Sequence, residues 1–116
     1  EQGARIKEEG GRMPFIQVIT TTETKEQAMA IARHLVEEKL AACVQICGPM
    51  ESIYRWKGEI EMAREFLCLV KTREDLFAQV EAAIKKLHSY ETPEIIAVPI
   101  VRGSTEYMTW LDDELP

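Results

Sequence analysis

Apolar positions along the chain follow two periods, and the changes between them divide it into elements. "FIQVITTT" (Phe15 to Thr22) is apolar and β-branched, the pattern of a strand. Ala28, Ile31, Ala32, Leu35 and Val36 then recur at helical spacing, so Lys25 to about Glu38 reads as an amphipathic helix. Thr24 followed by Gln27 gives that helix a capping-box start. Leu40 to Trp56 reads as a long strand interrupted at Gly48-Pro49, a pair that suits a bulge or bend. Lys57-Gly58 is a turn signal, and "EIEMAREFLCLVKT" runs back as the partner strand. Thr72, with Asp75 three positions on, is the expected cap of a second helix with the stripe Leu76, Phe77, Val80, Ala83, Ile84 and Leu87. A strand over Glu94 to Val101 and a short helix from about Ser104 to Asp113 complete the series.

The order β-α-β-β-α-β plus a terminal helix predicts an α+β, ferredoxin-like domain with two helices on one face of an antiparallel sheet. In that fold the strands should be apolar on one side only. Here Phe66, Cys68 and Val70 lie on one side and Leu67 and Leu69 on the other, and Ile95 to Val98 are apolar on both. The second face would expose on the order of several hundred Å² of apolar surface, the level that marks an interaction site. A terminal helix of about the length of "EYMTWLD" is too small to cover a sheet, so the pattern predicts an oligomer.

The 116 residues fit one domain, expected over 15–116. Residues 1–14, "EQGARIKEEGGRMP", are charged and glycine-rich without a period, and are expected to form a flexible leader of vector or precursor origin. A formal net charge of −6 and a pI of about 5.0 argue against a nucleic-acid partner. No apolar run is long enough for membrane insertion, and the cytosol is the default compartment. Cys43, Cys47 and Cys68 form no CxxC or zinc-type spacing, which suits reduced thiols.

Few residues carry chemistry. His34 falls off the apolar stripe and reads as a surface histidine. Glu59 and Glu61 share a strand face beside a turn and read as a solvated hairpin. Cys43 and Cys47 are by default small buried hydrophobes, with a soft ligand for a thiophilic metal such as Cu(I) as the alternative, and Cys68, in an apolar strand, reads as structural. A catalytic cysteine would need a base, and nothing brings His88 to one. With no phosphate loop, catalytic triad or HExxH, the chain is expected not to be an enzyme and to need no organic cofactor. The segment "LHSYETPEI" (Leu87 to Ile95) places an imidazole, a phenol and a carboxylate within four residues where a plain connector would use Gly, Asn and Ser. By local chemistry it is equally a connector and a binding site.

The blocks "LAACVQ" (Leu40 to Gln45), "SIYRWKGEIE" (Ser52 to Glu61), "LVKT" (Leu69 to Thr72) and "LHSYETPEIIAVPI" (Leu87 to Ile100), with Gly103, Tyr107 and Trp110, resemble the signature of the CutA divalent-cation tolerance family. The match runs from Phe15 to Leu111. The resemblance implies a homotrimer similar in architecture to PII signalling proteins, in which the long hairpin extends a neighbour's sheet. It implies binding of copper or another divalent metal, in homeostasis or signalling, at clefts between subunits. The alternative is a trimeric scaffold that anchors a protein partner, with metal incidental. The family cysteine falls on Cys43, and the family's His-Pro-Tyr-Glu block falls on His88, Ser89, Tyr90 and Glu91. Departures are Ser89 for proline, Gln45 for asparagine and Arg55 for an aromatic. The implied metal ligands are Cys43, His88 and Glu91. The implied cleft residues are Tyr54, Trp56, Lys71, Tyr90 and Glu94, with Lys71 suited to an anionic ligand.

Overall fold

The computed structural model describes residues 14–116. Apart from Pro14, the expected leader lies outside the described residues. The elements are β1 (Phe15–Thr22), α1 (Lys25–Glu37), β2 (Cys43–Trp56), β3 (Glu59–Arg73), a 3-10 turn (Glu74–Leu76), α2 (Phe77–Leu87), β4 (Ile96–Pro99) and α3 (Thr105–Asp113). The strands form one antiparallel sheet in the order β2-β3-β1-β4, the ferredoxin-like βαββαβ arrangement with a long β2-β3 hairpin.

The helices α1 and α2 cover one sheet face. Ile16 and Val18 of β1 and Val70 of β3 pack with Ile31 and Leu35 of α1 and Val80 and Ile84 of α2. The α1 cap is half of the expected box. The Thr24 side chain accepts from the Gln27 N–H at 3.1 Å, but the Gln27 side chain turns to the end of α2, where its amide donates to the Leu87 carbonyl at 3.4 Å. Thr72 does not cap α2. It is buried in β3 and its hydroxyl donates to the Leu40 carbonyl at 2.7 Å, tying the loop after α1 to the sheet.

The terminal helix packs on the opposite face, at one end. Met108, Leu111 and Leu115 bury against Phe15 and Leu76, and Arg73 secures them through an ion pair to Asp112 at 3.1 Å and a hydrogen bond to the Pro116 carbonyl at 2.6 Å. The rest of this face is open, and Ile96 and Val98 are 49% and 40% exposed in the single chain. β4 is shorter than the expected Glu94 to Val101, because its ladder with β1 runs over Ile96–Pro99 and closes on the Ile100 N–H, which donates to the Phe15 carbonyl at 2.9 Å. The hairpin projects beyond both helices, giving extents of 51 × 28 × 22 Å and a radius of gyration of 15.3 Å, against about 13 Å for a compact chain of this length.

Candidate functional site

The site begins with a register change in the hairpin. Cys47 pairs with Leu67 but Met50 pairs with Glu65, so β2 carries one extra residue at Gly48-Pro49. A bulge moves every later side chain of its strand to the other face. Tyr54 and Trp56 therefore share a face with Glu65, which they would not do in an unbroken ladder. Glycine is required at the bulge, because a Cβ on Gly48 would lie 2.9 Å from the Phe66 ring and 3.0 Å from the Glu65 carbonyl.

The segment after α2 meets this surface. The His88 backbone closes the helix on Ile84, then leaves it in extended conformation, and the ring folds back. The Tyr90 N–H donates to His88 Nδ1 at 3.1 Å, which leaves the Nε2–H to donate to the Thr21 carbonyl at 2.7 Å. Both ring nitrogens thus have partners within one chain, and no lone pair is left for a metal. The His88 and Tyr90 rings pack with centroids 4.8 Å apart. The Tyr90 hydroxyl donates to Glu65 Oε2 at 2.8 Å, and the Thr21 hydroxyl donates to the same oxygen at 3.4 Å. Burial first, then the hydrogen bond with Glu65 and its charge, push the Tyr90 pKa up, so its hydroxyl remains a proton donor.

Between the hairpin and this segment lies an open groove of about 790 Å³, lined by Ser52, Tyr54, Trp56, Glu65 and the run from Ser89 to Glu94. It gathers Tyr54, Trp56, Tyr90, Glu91 and Glu94 of the residues expected from sequence. Lys71 and Cys43 are elsewhere. They face each other across β3 and β2, level with Gln17, whereas the groove wall is level with Thr21. Four residues of strand separate the two levels, about 13 Å. The Lys71 ammonium donates to the Gln45 side-chain carbonyl. The Cys43 thiol lies against the Tyr107 hydroxyl, whose pKa is raised by burial and then by Cys43. Cys43, His88 and Glu91 do not converge within one chain, and no group of three or more His, Cys, Asp or Glu side chains among the described residues is placed to hold a metal ion.

Two groove residues, Glu65 and Thr21, were not singled out from sequence. The available signal was a carboxylate in the apolar run "EFLCLV", at the parity of Leu67 and Leu69 on the face away from the helices.

A model of the CutA1 divalent ion tolerance protein family matches residues 16–114. The divalent-cation tolerance protein CutA of Thermus thermophilus is 48% identical over 94 residues, covering 81% of this chain and 91% of that protein. The solved Cut A1 structure from the same organism superposes with a TM-score of 0.86 at 44% identity, over 88% of this chain and 99% of that one. A structure from Archaeoglobus fulgidus described as a periplasmic divalent cation tolerance protein CutA gives 0.84 at 45% identity, over 86% and 97%. On the extent of these matches and the shared fold, the chain belongs to the CutA1 divalent ion tolerance protein family.

Proposed function

We propose that the protein is a homotrimer that binds a divalent cation weakly in the groove at each subunit boundary, in metal homeostasis. The observation that carries this reading is the charge of the groove. Glu65, Glu91 and Glu94 line it, and no lining residue is basic. Oxygen donors of this kind suit hard and borderline divalent ions, Cu(II) among them, rather than thiolate-bound Cu(I). Because His88 is engaged and Cys43 is distant, the ligands from one chain are carboxylates, and water or a second subunit completes the set. The anion-sensing alternative has less support, since Lys71 is outside the groove.

The trimer rests on two apolar surfaces that do not coincide. Ile96, Val98, Leu67 and Leu69 form one on the face away from the helices. Ile53, Ile60 and Met62, 61–69% exposed, form the other on the opposite face of the hairpin. An interface that covers one with the other is heterologous, and such an interface closes into a ring when its rotation closes. Three free cysteines are consistent with a reducing compartment such as the cytosol. Among the described residues no helix is long and apolar enough to cross a membrane.

Calorimetric titration with Cu(II) and Mn(II) tests the groove. The double substitution Glu91→Gln and Glu94→Gln is expected to weaken binding about tenfold or more while the oligomer mass stays the same. Unchanged affinity would remove the groove as the site.

A further inference from the structure

We propose that the groove also takes an organic ammonium ion, the primary amine or alkylammonium group of a small molecule, with Glu65 as its anchor and the rings of Tyr54, Trp56 and Tyr90 as its walls. Glu65 is 6% exposed, and both hydroxyls that reach it, from Tyr90 and Thr21, donate to Oε2. Oε1 has no partner among the described residues, and none of their cations pairs with this carboxylate. That oxygen opens on the groove rather than lying sealed, and a cation entering there gains a charge-assisted contact.

The hairpin's arginines do not supply the cation. Arg64 pairs with Glu51 and Arg55 stands opposite Ile60, and both arginines share the face turned away from Glu65. On the groove face, Tyr54 stands opposite Glu61 and Trp56 opposite Glu59, so ring faces alternate with carboxylates. A small divalent ion gains little from such rings, whereas a diffuse ammonium is attracted to their faces. Trp56 already attracts one, with Lys57 Nζ 5.6 Å from its ring centroid. This inference goes beyond the divalent reading, because it depends on Glu65 and the aromatic walls rather than on Glu91 and Glu94.

The test uses the full chain carrying Trp110→Phe, which leaves Trp56 as the sole indole of the two. Butylamine, tetramethylammonium and the neutral isostere butanol are titrated while Trp56 fluorescence is followed. Both cations should give a saturable change and butanol none. Glu65→Gln should weaken butylamine binding about tenfold or more. Tyr54→Leu, at an exposed position with little call on folding, should weaken tetramethylammonium binding. Glu91→Gln with Glu94→Gln should weaken divalent binding about tenfold or more and weaken butylamine binding less than Glu65→Gln does, so the two readings fail separately. Cations that do no better than butanol, or binding that survives Glu65→Gln, would overturn the proposal. So would dissociation of the oligomer by Glu65→Gln, which would assign the counter-charge to a neighbouring copy.

Discussion

Thr20 is fully buried on the helix-covered face, and its hydroxyl has no hydrogen-bond partner among the described residues. Its neighbours are satisfied, Thr22 by the Thr24 carbonyl and Thr72 by the Leu40 carbonyl. An isosteric apolar replacement removes the unmet group without leaving a cavity. Thr20→Val should therefore raise the unfolding free energy by about 1 kcal/mol in urea titrations, and a comparable loss would show that the hydroxyl has a partner. Tyr90 and Cys68 make the second prediction, an alkaline one. Burial raises the Cys68 thiol from 9.0 to about 11, and the Tyr90 phenol is raised by burial and by Glu65. Both are acids whose neutral form the fold favours. Their contribution is present below their unfolded pKa values and is lost as pH rises through the folded ones. Stability should hold to about pH 9 and fall beyond it, and Tyr90→Phe should flatten that fall while lowering stability at pH 7 by about 2 kcal/mol. A flat profile to about pH 11 would contradict the burial of Cys68 and the bond from Tyr90 to Glu65.

At the scale of elements, the strands and helices were legible because their periods are long and their punctuation is clear. Lys57 and Gly58 both take positive φ, 51° and 83°, as a two-residue hairpin turn demands. Ser104 caps α3 by accepting from the Tyr107 N–H at 3.3 Å. Where the reading of Thr72 failed, a tertiary bond had priority over a local one, and that partner is 32 residues away. The bulge at Gly48-Pro49 was legible as a break, but its consequence was not. Which face Tyr54 and Trp56 take depends on the pairing of β2 with β3, a property of two strands. Gly48→Ala should cost about 1–3 kcal/mol, because the new methyl must displace the Phe66 ring or the Glu65 backbone. It should also alter Trp56 fluorescence if the bulge sets the hairpin's facing, and unchanged stability and emission would refute that link.

At the scale of the whole molecule, doubly apolar strands call for cover on a second face. α3 covers one end of it, and Ile96 and Val98 remain open. The site was only partly legible. The local run from His88 to Glu94 could be read directly, but Glu65 meets its donors across 25 and 44 residues of sequence. The expected set of Cys43, His88 and Glu91 joined positions that the sheet register keeps apart within a chain. A resemblance names which residues matter without saying how they are distributed between one subunit and the next. Native mass spectrometry with and without Cu(II) reads that distribution. The prediction is a species of about 40 kDa, three chains of 13.3 kDa each, taking up a defined number of ions that falls on Glu91→Gln with Glu94→Gln. A 13.3 kDa monomer, or a trimer whose copper uptake ignores those substitutions, would contradict it.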